Sequence, residues 1–190
     1  MGLDMYLEKC NRKAWGFKDI NIDEAKENNP KLYEEIKPYL HEGGEYFHWE
    51  SIFEEVGYWR KANAIHKWFV DNVQDGNDDC GYYEVSKEKM EELLQICIKV
   101  LDGSKLEHGL VKNGEVYEDG EWRPCMEEGD YVVNPEIAEK LLPTTAGFFF
   151  GSTNYDQWYI EDIKETIDIL TRALETTNFD LEMIVYGSSW

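Results

Sequence analysis

Residues 81–103, "GYYEVSKEKMEELLQICIKVLDG", contain the pattern that decides the fold class. From residue 90 onward, apolar side chains recur at the helical spacing i, i+3, i+4, i+7 and i+11, at Met90, Leu93, Leu94, Cys97 and Leu101. Ser86 suits the N-cap of this helix and Gly103 suits its end. We interpret the preceding "GYYEVS" as a short strand. A strand that leads directly into an amphipathic helix predicts a chain that combines both kinds of element.

Further strands are predicted on both sides of this stretch. In "LDMYLEK" (3–9) apolar and polar residues alternate, which is typical of a half-buried strand. Other strands are predicted in "EYFHWES" (45–51), in "AGFFF" (146–150) and in the C-terminal "DLEMIVYGSSW".

Further helices complete the pattern. "KLYEEIKPYL" predicts a short helix that Pro38 shortens or kinks. "NPEIAEKLLP" predicts another, with Asn134 as its cap, Pro135 at its first position and Pro143 at its end. A long helix is predicted after the Gly151-Ser152-Thr153 turn, and its apolar stripe consists of Ile160, Ile163, Ile167, Leu170 and Leu174.

These elements predict an α+β or α/β fold, in which a small mixed sheet of three to five strands packs with three main helices. A length of 190 residues is typical of one domain, so we predict a single domain over 1–190. Asn113-Gly114 and Asp119-Gly120 are hairpin-type dipeptides, and they predict a hairpin insert at about 104–134.

The composition restricts the classes of partner. Forty acidic residues against nineteen Lys and Arg give a net charge of -21, which disfavours binding to duplex nucleic acid. A basic protein partner fits this charge, and a nucleic-acid mimic is the extreme case of that interpretation. Hydrophobic residues at 42% and aromatic residues at 14% exclude a disordered acidic tail.

Cysteine spacing and hydropathy exclude further classes. Cys10, Cys80, Cys97 and Cys125 form no Cys-x-x-Cys pair, so neither a zinc ribbon nor a thioredoxin-like motif is predicted. We interpret them as reduced thiols of a cytosolic protein. No apolar run approaches the ~18 residues of a membrane span. The sequence therefore predicts no membrane segment, no metal and no cofactor.

Residues 57–70, "GYWRKANAIHKWFV", form a basic and aromatic segment inside fifteen residues that hold no carboxylate. The segment is predicted as one helix that runs to about Val73, with an apolar face bordered by Asn63, Arg60 and Lys67. Such a helix suits one wall of a pocket for a planar anion.

In that pocket Trp59 would stack, Arg60 and Lys67 would supply charge, and Asn63 or His66 would orient the ligand. The structural alternative is a core helix with a wet edge, in which Trp59 and His66 are buried and the cations pair with carboxylates.

A second acid-free segment spans residues 140–155, "KLLPTTAGFFFGSTNY". Its Gly-Ser-Thr turn precedes a predicted helix, where backbone N–H groups and hydroxyls can hold an anion. If both segments converge, they would form an electropositive pocket in an acidic surface. The predicted ligand-binding set is Trp59, Arg60, Asn63, His66, Lys67, Gly151, Ser152 and Thr153.

No Ser-His-Asp or Cys-His arrangement is legible, so no catalytic residue is predicted. A small hydrolase that uses His66 with Asp78 or Asp79 is the lowest-ranked alternative.

Three segments, "MGLDMYLEK", "VGYWRKANAIHKWFVDNVQDGNDDCG" and "LLPTTAGFFFGSTNYDQWY", resemble a family of uncharacterised bacteriophage and prophage proteins. The resemblance covers about two thirds of the chain and leaves about 10–50 and 103–135 unmatched. It transfers no catalytic residue. What it implies is a setting, a small accessory phage protein in the cytoplasm of the bacterial host, where interference with host defence is a common role.

The residues and the resemblance together favour a phage-derived accessory protein that captures a small anionic, nucleotide-like ligand, with an anti-defence role. One alternative is an acidic inhibitor or nucleic-acid mimic that blocks a basic host protein. The other is a small nucleotide hydrolase.

Overall fold

The structure is a computed structural model that describes residues 2–48 and 52–190. Its centre is a four-stranded sheet built from β1 (Asp4–Asn11), β2 (Phe53–Arg60), β3 (Tyr83–Val85) and β6 (Glu182–Ser189). The strand order is β2-β1-β6-β3, and every neighbouring pair is antiparallel. The predicted α+β fold is therefore confirmed. The sheet is antiparallel rather than mixed, which excludes the α/β alternative.

Three long helices cover one face of this sheet: α4 (Asn63–Asn72), α5 (Lys87–Gly103) and α7 (Gln157–Thr176). Leu3, Met5 and Leu7 of the N-terminal segment are fully buried beneath them, because alternate residues of a strand point to the same face. As predicted, Ser86 caps α5 by accepting a hydrogen bond from the Lys89 backbone N–H. This layer contains the larger apolar core.

Short helices cover part of the opposite face: α1 (Arg12–Trp15), α2 (Ile22–Asn28) and α3 (Pro30–Ile36), followed by a 3₁₀ turn at Lys37–Tyr39. An asparagine side chain caps the start of each helix. The second core cluster lies between them and the sheet and includes Cys10, Ile36 and Val185. Both core layers thus pack on the same sheet.

A long hairpin, β4 (Leu106–Glu118) and β5 (Glu121–Val132), forms a separate two-stranded sheet. Asp119 and Gly120 form its tip with positive φ angles, as an Asp-Gly turn requires. The other dipeptide, Asn113-Gly114, is not a turn but lies where the register shifts within β4. Helix α6 (Glu136–Leu141) follows, and its N-cap is Pro135 rather than the predicted Asn134.

The prediction of one helix over residues 57–73 is wrong in its first half. Residues up to Arg60 belong to β2, and the helix begins only at Asn63. Strand β2 pairs with β1, with Met5 opposite Trp59, and the Trp59 indole is buried. Pairing with β1 satisfies the backbone and buries an aromatic ring, which outweighs a local helical periodicity. Trp59 and Arg60 therefore lie on a strand.

The strand predicted at 146–150 is also wrong, because these residues form a loop. Phe148 is 89% exposed, whereas Phe150 is buried. Strand β1 already has a partner on each side, so the loop does not join the sheet. The Leu3 backbone N–H, just before β1, donates to the Phe149 carbonyl oxygen. Of the strand predicted at 45–51, residues 49–51 lie outside the described residues. Phe47 forms an isolated bridge with Leu40.

Candidate functional site

A cleft of about 760 Å³ opens where four segments meet. The turn between β2 and α4 forms one wall, and the loop at 151–154 forms the wall beside it. The third wall is residues 112–115 of β4, at the register shift of the hairpin. The first turns of α7 form the fourth wall. The volume of the cleft lies within the ~300–1,000 Å³ typical of small-molecule sites.

Two residues in the left-handed backbone region bring the first two walls into contact. Lys61 has φ 64° and Gly151 has φ 87°. A Cβ atom at position 151 would lie 3.2 Å from the Lys61 Cβ and 3.5 Å from the Lys61 carbonyl oxygen. Gly151 is therefore required both for its φ angle and for this close approach. Lys61 lacks that freedom, so its conformation carries a local backbone cost.

The buried Asn63 side chain holds the second wall in place. Its Nδ2 atom donates to the carbonyl oxygens of Phe150 at 3.0 Å and Ser152 at 2.7 Å. Its Oδ1 atom accepts from the Thr145 backbone N–H at 3.0 Å. An amide is the side chain that can donate twice and accept once from one position. Asn63 lines the cleft, but its hydrogen bonds position the loop rather than a ligand.

Three cations line the cleft: Arg60, Lys61 and Lys112. Lys112 is paired with Glu115 at 2.6 Å, whereas Arg60 lies 3.9 Å from Asp4, a loose contact of an exposed guanidinium. Within residues 2–48 and 52–190, no carboxylate approaches the Lys61 ammonium group within 4.0 Å. Arg60 and Lys61 are therefore the cations that are most available to an anionic ligand.

Two carboxyl groups of the α7 segment also line the cleft, which the sequence did not predict. Asp156 is the N-cap of α7, and its Oδ1 atom accepts from the backbone N–H groups of Trp158 and Tyr159. Its Oδ2 atom is buried without a hydrogen-bond partner in the described part of the chain. Burial raises the pKa of this carboxyl. The expected electropositive pocket is thus wrong in part, because acids lie at one of its ends.

The second of these groups is Asp162, whose pKa is raised to about 8, mainly by burial and further by the charges of Glu165, Asp156 and Glu161. At neutral pH this carboxyl is therefore largely protonated. A signal for it does exist in the sequence, because Asp162 lies at i+3 from Tyr159 and at i+4 from Trp158, on their side of the helix.

An aromatic side chain stands at the mouth of the cleft, but it is Trp158 rather than the predicted Trp59. The Trp158 side chain lines the cleft and is 48% exposed. Trp59 is 1% exposed, and its indole N–H donates to Thr166 Oγ1 at 2.9 Å inside the core. Trp59 therefore stabilises the packing of α7 on the sheet.

His66 and Lys67 also lie outside the cleft lining. His66 is 1% exposed, with Nδ1 2.7 Å from the Tyr186 hydroxyl and Nε2 3.1 Å from Asp78 Oδ2. Lys67 forms an i,i+4 ion pair with Asp71 at 2.6 Å. For these two residues the structural alternative describes the observed contacts. From the predicted set, the structure brings five residues together in the cleft: Arg60, Asn63, Gly151, Ser152 and Thr153.

The described residues contain no group of three or more His, Cys, Asp or Glu side chains arranged to hold a metal ion. Among the same residues no helix has the length and the apolar character needed to cross a membrane. No protein-family model, curated protein or solved structure matches the chain.

Proposed function

We propose that this protein binds a small anionic, nucleotide-like ligand in the cleft beside Arg60 and Lys61. The setting we propose is the one that the phage resemblance implies, an accessory protein in the bacterial cytoplasm that withdraws such a ligand from a host defence pathway. Binding rather than turnover is the activity that the arrangement favours.

The observation that carries this proposal is the convergence of two distant acid-free segments on one cleft. The turn at residues 60–63 and the loop at 151–153 are about ninety residues apart in the chain and form adjacent walls of the cleft. Asn63 joins them through the Phe150 and Ser152 carbonyl oxygens. Arg60, which has only a loose contact with Asp4, and Lys61 are thereby held next to this loop, which favours a preorganised anion site.

The start of α4 adds to this site. Asn63 and Ala64 line the cleft, and the N-cap residue, Ala62, has no side chain that can cap the helix. The backbone N–H groups of a helix's first turn carry partial positive charge and attract anions. These N–H groups add to the attraction that Arg60 and Lys61 exert on an anion, and they do not form a site without the two cations.

A hydrolase centred on His66 has less support. Both ring nitrogens of His66 lie within hydrogen-bond distance of another side chain, and the ring is buried. A general base must reach the proton that it abstracts, and a buried ring with both nitrogens engaged does not meet that condition. The His66–Asp78 contact explains packing between α4 and the following turn instead.

Isothermal titration tests the proposal, using nucleoside monophosphates, cyclic mono- and dinucleotides and ADP-ribose. The informative variant is Arg60→Ala with Lys61→Ala, for which we expect the affinity of a bound nucleotide to fall by about tenfold or more, since charge-assisted hydrogen bonds contribute ~1.5–3 kcal/mol. Recovery of the intact nucleotide after denaturation distinguishes capture from turnover.

The matched control is Lys67→Ala, which removes one positive charge from the neighbouring helix at a residue already paired with Asp71. We expect this control to bind with unchanged affinity. Absence of binding by the wild-type protein, or equal affinity of the double variant and the wild type, would show that the proposed function is wrong.

A second candidate function is an acidic inhibitor that docks on a basic host protein, including the case of a nucleic-acid mimic. One observation favours it: the hairpin of β4 and β5 exposes a group of large apolar side chains within an acidic sequence. These are Leu110, Val116, Tyr117, Trp122 and Met126. Exposed aromatic side chains framed by charge are typical of protein-binding surfaces.

Pull-down from a bacterial lysate with the wild-type protein and with Tyr117→Ala plus Trp122→Ala tests this candidate. We expect a partner that is lost both in the double variant and at high salt, because screening weakens the acidic surface's attraction. Capture that survives both changes would contradict docking through this hairpin.

A further inference from the structure

The cleft holds its cations and its carboxyl groups at different places, and this separation restricts the chemistry of its ligand. Arg60 and Lys61 lie in the turn between β2 and α4, whereas Asp156 and Asp162 belong to the α7 segment. Three acids, Glu165, Asp156 and Glu161, have the largest charge effects on the pKa of Asp162. An anion without hydrogen-bond donors would contact Arg60 and Lys61 and would leave the two carboxyl groups without a complementary group.

The Asp162 side chain has an unmet capacity for hydrogen bonds. It lines the cleft, it is half-buried, and no hydrogen-bond partner for its carboxyl group exists among residues 2–48 and 52–190. Beside it, Asp156 is 4% exposed and its Oδ2 atom has no partner in the same residues. A buried oxygen without a hydrogen bond, such as Asp156 Oδ2, costs free energy, so a ligand that supplies hydrogen-bond donors at this end of the cleft would stabilise the site.

Trp158 supplies the third part of the site. It precedes Asp162 by four residues on α7, so both side chains stand on the same side of the helix. Its exposed indole offers a flat surface on which a heterocyclic base can stack. The cleft therefore combines a place for an anion, a place for hydroxyl donors and a place for an aromatic ring.

We propose that the cleft takes a ribonucleotide, with its phosphate at Arg60 and Lys61, its ribose hydroxyls at the Asp162 carboxyl group and its base on Trp158. This inference rests on the proposed function and names its ligand class. A carboxyl group that accepts hydrogen bonds from ribose hydroxyls is a recurrent way to recognise this sugar. Asp156 supports the arrangement by fixing the first turn of α7, from which Trp158 and Asp162 project.

The ligand itself can be varied to test this assignment without changing the protein. The four ribonucleoside 5′-monophosphates and their 2′,3′-dideoxy counterparts are titrated into the wild-type protein by calorimetry. We expect at least one ribonucleotide to bind about tenfold or more tightly than its dideoxy counterpart. The two forms carry the same phosphate and base, so the difference reports the hydroxyl groups alone.

The variant Asp162→Ala then identifies the group that recognises the hydroxyls. We expect it to bind the ribo and dideoxy forms with equal affinity, at the level of the dideoxy form on the wild type. The control Asp168→Asn removes an exposed carboxylate two turns away on the same helix and should retain the tenfold preference. A melting curve for each variant confirms that it is folded.

The outcomes separate this inference from the proposed function. Equal affinity of the ribo and dideoxy forms on the wild type would overturn the inference and leave anion binding intact. If ADP-ribose binds and no monophosphate does, the Asp162→Ala variant decides: unchanged affinity for ADP-ribose would overturn the inference alone. Failure of every nucleotide to bind would overturn both. An unchanged preference for the ribo form in Asp162→Ala would overturn the assignment of hydroxyl recognition to Asp162.

Discussion

Asn63 illustrates how one side chain can determine the shape of a site through hydrogen bonds to the protein backbone. The amide is buried and joins α4 to three backbone groups of the loop at 145–152. A residue of the same size but different hydrogen-bond capacity cannot make these three contacts. The position of the loop relative to Arg60 and Lys61 therefore depends on this amide.

Substitution at Asn63 is expected to lower the stability of the protein. For Asn63→Ala we expect the free energy of unfolding to fall by about 2–4 kcal/mol, since buried backbone groups lose their partners. For Asn63→Asp the loss should be greater, because a carboxylate cannot donate to the Phe150 and Ser152 carbonyl oxygens. Urea denaturation measures both variants. Equal stability of Asn63→Asp and the wild type would contradict the assigned hydrogen bonds.

Asp162 makes the stability of the protein depend on pH. Its pKa is about 8 in the folded protein against 3.8 for the ordinary group, and the cause is burial followed by the acids Glu165, Asp156 and Glu161. The folded state therefore retains a proton that the unfolded state releases. The resulting stabilisation is complete below the unfolded pKa and is lost as the pH rises through 8. The other charged groups that line the cleft with Asp162 are Arg60, Lys61 and the Lys112–Glu115 ion pair.

Replacement of this carboxyl by an amide should remove that dependence. We expect Asp162→Asn to be more stable than the wild type at pH 9 by about 2 kcal/mol or more, since one pKa unit corresponds to ~1.4 kcal/mol. At pH 5 the difference should be smaller, because both side chains are then neutral in the folded state. Urea denaturation at both pH values measures the change, and Asp168→Asn is the control. A constant difference between the two pH values would contradict the raised pKa.

At the scale of elements, one part of the hairpin of β4 and β5 lines the cleft, and another part is exposed to solvent. Residues 112–115 form a wall of the cleft, and Val111 and Val132 pack near its base. Beyond the register shift the strands carry the exposed Tyr117–Trp122 pair, with ring centroids 5.3 Å apart. The distal half of the hairpin therefore has its own cross-strand contact, and its aromatic side chains lie outside the apolar core.

This division predicts how the hairpin responds to substitution. Tyr117→Ala with Trp122→Ala should loosen the distal strands while the melting temperature of the protein changes by less than about 2 °C, because exposed residues contribute little to global stability. Limited proteolysis should then cut the hairpin near Asp119 sooner than in the wild type. A large fall in melting temperature would show that the tip is coupled to the core.

At the scale of the whole molecule, charge opposes folding. The net charge of -21 creates repulsion among carboxylates in the folded protein, and salt screens that repulsion. We expect the melting temperature to rise by roughly 3–6 °C from low salt to about 0.3 M NaCl, which corresponds to ~1–2 kcal/mol for a chain of this size. Scanning calorimetry measures the shift. A fall in melting temperature would mean that attractive ion pairs outweigh the repulsion.

Two elements show how far sequence reasoning reaches. The helix at Lys87–Gly103 is predicted well because its apolar spacing, its serine cap and its glycine end agree with one another. The segment at 57–70 is predicted poorly, because its helical periodicity begins three residues before the strand ends. Only pairing with β1 places Trp59 on a strand, while His66 lies on the helix that follows. Local pattern predicts an element where no distant partner competes for the same residues.

The candidate site shows the same limit. The sequence by itself determined that the protein is acidic, that it combines strands with helices, and that two segments lack carboxylates. Only the tertiary structure decided that Arg60 and Gly151 share a cleft, that Trp59 and His66 are buried, and that Asp162 and Trp158 face the same opening. The physical reason is that spacing along the chain fixes which side of an element a residue occupies, whereas the packing of distant elements decides what that side meets.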